Sequence, residues 1–231
     1  MTVEADGTPH ALILSGAGRY ADPWHPFEQT SAQLAGILKT SGFQVEIDSR
    51  VDERMSNLGE PDLLVVNIGN PAAPDQGRDL STRRGLLRYL ESGRPLLAIH
   101  VSATSLTAVP EWEDILGGIW VRGTTMHPDY GNAEVHIAPT EHPIIDGLHN
   151  FTTLDERYTH LRTARDIVTL ATHSHEGSEH PLLWTNNYGS SRVVYDALGH
   201  DDRSYESPEH REIIARAARW LIGGLRFDLA D

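Results

Sequence analysis

Residues 11–14, Ala-Leu-Ile-Leu, form a short apolar run without alternation that stops at Ser15-Gly16, the pattern of a strand buried on both faces. A polar loop follows. Phe27, Leu34, Ile37, Leu38 and Ser41 then recur at helical spacing, and Gly42 stands where a left-handed C-cap belongs. Residues 43–47 alternate and predict a second strand, while residues 62–68 are almost continuously apolar and predict a third, central in the sheet. Ser81 is placed to cap a helix over residues 81–92, with Leu86, Leu87 and Leu90 on its apolar face and Gly93 ending it. A fourth strand over residues 95–100 comes next and ends in His100. Strands alternating with helices in this way predict a parallel, doubly wound α/β sheet that binds its ligands at the carboxyl ends of the strands.

After residue 130 the pattern changes. Short segments over residues 133–137, 166–170, 181–184 and 192–195 predict additional strands, and the Asn- and Gly-rich stretch 186–190 predicts a hairpin turn between the last two. A final helix over residues 208–222 carries Ile213, Ala217, Trp220 and Leu221 on one stripe and is expected to end at Gly223-Gly224. The 231 residues suffice for one substantial core, so one domain over residues 1–231 is expected, with its core at about 10–224.

Composition narrows the chemistry. The chain has no cysteine, which removes disulfides, thiolate nucleophiles and Cys-ligated metal centres. Its single lysine, Lys39, falls within a helical pattern, which argues against Schiff-base catalysis. A formal net charge of -14 repels phosphate backbones, so no nucleic-acid partner is expected. No apolar run reaches the length of a membrane span, and residues 1–9 lack a signal-peptide pattern. A cytoplasmic protein without a membrane partner is expected; association into a homo-oligomer is left open.

Thirteen histidines remain as the chemical resource. His100 ends an apolar strand and is followed by the small residues Ser102, Ala103 and Ser105, as at the strand-to-turn elbow that displays a nucleophile in hydrolases. A core histidine bonded to a backbone carbonyl fits the same spacing, and both alternatives stand at this point. Gly16-Ala17-Gly18-Arg19-Tyr20-Ala21 matches a dinucleotide fingerprint, but Asp22-Pro23-Trp24-His25-Pro26 interrupts the helix whose amides would face the pyrophosphate. His173-Ser174-His175-Glu176 has the character of metal ligands and is expected in a solvated loop.

Several short motifs carry a family resemblance when taken in order: Trp24-His25-Pro26-Phe27, Ala98-Ile99-His100, Leu116-Gly117-Gly118, His127-Pro128, His142-Pro143-Ile144, Asp155-Glu156-Arg157-Tyr158, Pro181-Leu182-Leu183-Trp184, Tyr188-Gly189-Ser190-Ser191-Arg192-Val193 and Leu198-Gly199-His200. Over residues 11–223 the chain resembles the trehalose-utilisation (ThuA-like) family. Only residues 71–80 depart from the pattern. The resemblance implies a flavodoxin-like, mostly parallel sheet of the class I glutamine amidotransferase type, with extra strands in the C-terminal half. It also places His100 where amidotransferases keep their cysteine nucleophile, and an imidazole cannot form the corresponding thioester.

The resemblance points to an enzyme of carbohydrate metabolism acting by acid/base chemistry on a small-molecule sugar, keto-sugar or keto-glycoside. On that reading His100 is the acid or base, Glu156 its carboxylate partner, and His127 and His200 further proton-transfer groups or ligands. Trp24, His25, Asp155, Tyr158 and Trp184 are the expected substrate-binding residues. No cofactor is required; a divalent metal, Zn, Mn or Fe, is the alternative that the histidines and carboxylates leave open. A non-catalytic sugar-binding or interaction domain and, on the glycine loop alone, a nucleotide-dependent oxidoreductase are the other readings.

Overall fold

A computed structural model describes residues 7–71 and 73–227. Its first half is a run of β1 (His10–Ser15), α1 (Phe27–Thr40), β2 (Gln44–Asp48), α2 (Val51–Ser56), β3 (Leu63–Asn67), α3 (Gln76–Glu91) and β4 (Leu96–Ile99). The second half holds α4 (Trp112–Leu116), β5 (Gly118–Ile119), β6 (Gly131–Ile137), β7 (Phe151–Asp155), β8 (Arg162–Thr163), β9 (Val168–His175), β10 (Ser178–Tyr188), β11 (Ser191–Asp196) and α5 (Pro208–Phe227). Nine strands form one sheet in the order β2-β1-β3-β4-β11-β10-β9-β6-β7. The first five are parallel, and the last four add on through antiparallel pairs. The architecture is α/β and flavodoxin-like, with the C-terminal strands extending one edge.

Burial explains the strand patterns. β3 and β4 are buried along their whole length because helices cover both faces, so alternation is absent. Phe27, Leu34, Ile37 and Leu38 of α1 face the core, and Gly42 takes the left-handed conformation after it at φ 91°. Each such apolar side chain contributes about 1.5–3 kcal/mol by leaving water.

Several elements differ from expectation. α3 begins before Ser81, at Gln76, because the Asp75 carboxylate caps it by accepting from the Arg78 amide; Ser81 lies inside the helix and donates to the Gly77 carbonyl. The hairpin turn is shorter than 186–190, since β10 continues through Asn186 and Asn187 to Tyr188 and the turn is left to Gly189 and Ser190. α5 does not end at Gly223. His173, Ser174 and His175 lie on β9 rather than in a solvated loop, and His173 is fully buried. The turn falls one residue later, where Glu176 and Gly177 take positive φ.

The glycine motif after β1 leads into a single 3-10 turn, Gly18–Tyr20, and α1 starts only at Phe27. The loop therefore does not itself run into the helix N-terminus that the dinucleotide fingerprint requires. Gly16 has a packing reason instead: a Cβ there would lie 2.7 Å from the Phe27 ring and 2.8 Å from the Tyr20 carbonyl oxygen.

Candidate active site

Two parallel neighbours, β4 and β11, carry their next residues to the same sheet edge, and those segments hold His100 and His200. His100 opens a 3-10 turn with φ 45°, a left-handed backbone unusual for a side chain without local polar compensation. Hydroxyl groups fix this elbow. Tyr195 donates to the His100 carbonyl at 2.7 Å, Ser102 to the Val66 carbonyl at 2.8 Å and Ser105 to the Ile68 carbonyl at 2.5 Å.

The His200 segment is fixed by Asp155, the last residue of β7. Its buried carboxylate accepts from the amides of Glu156 at 2.8 Å, Gly199 at 2.7 Å and His200 at 3.2 Å. Gly199 takes φ 113°, and a Cβ there would meet the Tyr205 hydroxyl at 2.6 Å. One carboxylate thereby ties the Glu156 strand end to the His200 loop. Asp155 is a positioning residue and has no exposed surface with which to bind substrate.

Glu156 is the hub. Its Oε2 lies 3.4 Å from His100 Nε2 and 3.3 Å from His200 Nδ1, and its Oε1 lies 3.4 Å from His127 Nε2. Burial opposes its charge, but the imidazoles of His100 and His200 outweigh that and hold the carboxyl well below the usual carboxylate range. On His200 burial again works against charge, and Glu156 overcomes it and raises the imidazole. His25, brought in by the loop after β1, packs its ring 5.2 Å from His100 and 4.9 Å from His200. Burial lowers its pKa in spite of the Asp22 carboxylate, whose two oxygens are both 2.8 Å from Nδ1.

Tautomers follow from the partners. His100 Nδ1 is 2.6 Å from the Ala197 carbonyl, so it carries the proton, and Nε2 accepts from the Tyr158 hydroxyl at 3.0 Å. His100 is therefore both a backbone-bonded core histidine, 1 % exposed, and a member of the titratable cluster. Of the two alternatives left by its sequence position, the structure places the backbone-bonded core histidine: the elbow does not expose the ring, which reaches the cluster through Nε2.

A cleft of about 870 Å³ opens above this cluster, lined among others by Trp24, His25, Trp120, His127, Glu156 and Tyr158. Trp24 is 71 % exposed at the rim, where the Asp22 carboxylate holds the turn by accepting from the Trp24 and His25 amides. Trp120 stands edge-on to Tyr158 with ring centroids 4.8 Å apart. A second cavity, of about 490 Å³, lies beside the glycine loop, but its Arg19 guanidinium is already paired with Asp52 and Asp79. The cleft over Glu156 joins ligand space to reactive groups, and the second cavity does not.

The structure thus brings His100, His127, Glu156 and His200 together and adds His25 to their inner layer, with Trp24 and Tyr158 on the cleft. Trp184 is not there. It is fully buried under α4, donating its indole N–H to the Leu116 carbonyl at 2.7 Å, so it packs the core and does not bind substrate. Asp22 and Trp120 were missed from sequence; an Asp three residues before a histidine in a Pro-bounded turn was the available signal for the first.

A flavodoxin-like α/β frame with a histidine-carboxylate cluster at its carboxyl edge and no cysteine at the elbow defines the class. A profile of the trehalose utilisation (ThuA) family matches residues 10–221, and the chain belongs to that family. Among solved structures, a ThuA-like protein from Parabacteroides merdae is 19% identical over 94% of this chain and 90% of its own, with a TM-score of 0.77. One from Bacteroides uniformis is 19% identical over 96% and 94%, with a TM-score of 0.73. A cytoplasmic protein from Salmonella typhimurium LT2 is 12% identical over 92% and 99%, with a TM-score of 0.67. These likenesses establish the fold. No curated protein matches the chain significantly. Among the described residues no helix is long and apolar enough to cross a membrane.

Proposed function

We propose that this protein is an enzyme of carbohydrate metabolism that transfers protons on a sugar, keto-sugar or keto-glycoside held in the cleft above Glu156. The observation that carries the reading is the convergence of three imidazoles within 3.3–3.4 Å of one carboxylate at the floor of an aromatic-walled cleft. Membership of a trehalose-utilisation family supports the substrate class. Aromatic faces such as Trp24 suit the apolar faces of a sugar ring, and Asn70 and Arg122 supply polar groups along the same wall.

Glu156 and His127 line the cleft and are the groups that reach substrate, so they are assigned as the proton-transfer pair. His127 Nδ1 donates to the Pro128 carbonyl at 2.9 Å, which leaves Nε2 toward Glu156. His100 and His200 stand behind the carboxylate and set its charge and orientation. A cytoplasmic location belongs to the same proposal, in line with the structural relative from Salmonella.

The test is incubation of the purified protein with trehalose, other disaccharides and their 3-keto forms, beside the variants Glu156→Gln, His127→Ala and His100→Ala. Turnover is expected, with losses above about 100-fold in each variant, the lower range for a positioned acid or base. Turnover indifferent to Glu156→Gln overturns the assignment. Sugar binding without turnover on any of these substrates overturns the enzymatic reading in favour of a binding domain.

A further inference from the structure

Among the described residues, two ring nitrogens of the site's innermost layer, on His25 and His200, are buried without a hydrogen-bond partner. His25 gives its Nδ1 proton to Asp22, which leaves Nε2 as a buried lone pair, and that atom has no hydrogen-bond partner. His100 likewise spends its proton on the Ala197 carbonyl, so its Nε2 is an acceptor. His200 Nδ1 is also buried without a hydrogen bond, although it stands 3.3 Å from a Glu156 oxygen. The Tyr158 hydroxyl donates into this space, to His100. Leaving buried acceptors unmatched costs about 1–3 kcal/mol each, so the arrangement calls for a positive species among them.

We propose that His25 Nε2, His100 Nε2, His200 Nδ1 and the Glu156 carboxylate form a binding site for one divalent transition-metal ion. The four residues each offer one ligand atom, all within 4.8 Å of one another. In a tetrahedral site with bonds of about 2.1 Å, ligand atoms stand about 3.4 Å apart. The His100–Glu156 and His200–Glu156 separations, 3.4 and 3.3 Å, already have that value. The outer partners are those that metal-bound imidazoles require: the Asp22 carboxylate on His25 and the Ala197 carbonyl on His100 fix each ring with Nε2 inward. Three imidazoles and a carboxylate, with no thiolate in the chain, select a borderline ion such as Zn, Mn or Fe over Cu(I) or Ca. His25 and Glu156 line the cleft as well as the cluster, so the bound ion would face the ligand space. The proposal stands on the cluster alone and goes beyond the reading of the cleft as a sugar site.

The experiment strips the full-length protein with a chelator and titrates it by calorimetry with Zn²⁺ and, separately, with Mn²⁺; Co²⁺ loading is followed by its visible absorption. One equivalent per chain is expected, with a Co²⁺ spectrum of a nitrogen-rich, low-coordinate site. His25→Ala and Glu156→Gln should each weaken binding at least 100-fold, and Asp22→Asn, which touches only the outer partner, by 10- to 100-fold. His136→Ala, on β6 outside the cluster, should leave affinity unchanged. His25 sits in a surface loop, so the melting midpoint of the metal-free His25→Ala protein reports that it is folded. Absence of stoichiometric binding of any of the three ions, or equal affinity in wild type, His25→Ala and Glu156→Gln, overturns the proposal. Because the readout is metal binding, its failure leaves sugar turnover at Glu156 and His127 standing, and lack of turnover leaves the titration intact.

Discussion

At the scale of single residues, the two tryptophans expected to bind substrate separate cleanly. Trp24 is held out over the cleft by a turn that Asp22 fixes, and its ring has almost no packing role to lose. Trp24→Ala should therefore leave the unfolding midpoint unchanged while weakening sugar affinity about 10-fold or more, an aromatic contact of about 1.4 kcal/mol or above. Once a sugar ligand is known, calorimetry on wild type and variant checks this, and equal affinities would remove Trp24 from the binding surface. The same loop shows how one residue can serve two roles. Asp22 accepts from two amides, so the Trp24 platform is fixed, and it orients the His25 ring, so the inner cluster is fixed too.

At the scale of elements, Trp184 belongs to the contact of β10 with α4. Its indole N–H satisfies the last carbonyl of α4, at Leu116, its ring lies tilted against Tyr195 with centroids 4.5 Å apart, and the close approach of Gly118 leaves room for no Cβ beside it. Trp184→Ala should cost about 3–5 kcal/mol of stability, the range for emptying a buried aromatic site. Urea denaturation measures that loss, and sugar affinity of the folded fraction should stay at the wild-type value; a Trp184 variant that keeps its stability but loses sugar would reverse this assignment. Elements differ in how far they can be read from sequence for related reasons. β1, β3 and β4 are legible because burial on both faces writes itself as unbroken apolar runs. β7, Phe-Thr-Thr-Leu-Asp, is not, since three of its five residues are polar and its pairing with β6 is a tertiary fact. Asn186 likewise reads as a turn residue, yet it is buried in β10 because its amide donates to the carbonyls of Asp114 and Ile115 at the base of α4. In the site, His100 announces itself by ending an apolar strand. His25 is expected at the cleft only through the family resemblance, and its place in the inner cluster is a tertiary fact, since the loop after β1, 75 positions earlier in the chain, packs its ring against His100.

At the scale of the whole molecule, two effects compete as the solution is acidified. The formal charge of -14 means that protonation relieves self-repulsion and favours the compact state. His173 works in the opposite direction. Fully buried on β9, it donates Nε2–H to the Tyr158 carbonyl at 3.1 Å, and burial pulls its pKa down to about 4 even though that carbonyl and the Ser174 carbonyl favour its charged form. In the unfolded chain the same imidazole titrates near 6.5. Between these values the unfolded state binds a proton that the native state refuses, so this residue's contribution to stability is whole above about pH 6.5 and falls as the pH drops toward 4. At about 1.4 kcal/mol per pH unit, the loss reaches about 3 kcal/mol. Because the relief of repulsion acts on wild type and variant alike, the comparison with His173→Gln isolates the histidine. Urea unfolding at pH 7.5, 6, 5 and 4 should show wild type the more stable at the top of that range, where the Tyr158 bond favours histidine. That advantage should shrink and then reverse with acid, changing by about 3 kcal/mol over the series. A stability difference that stays constant with pH would mean that His173 is already neutral in both states, or charged in both, and that burial on β9 does not set its titration.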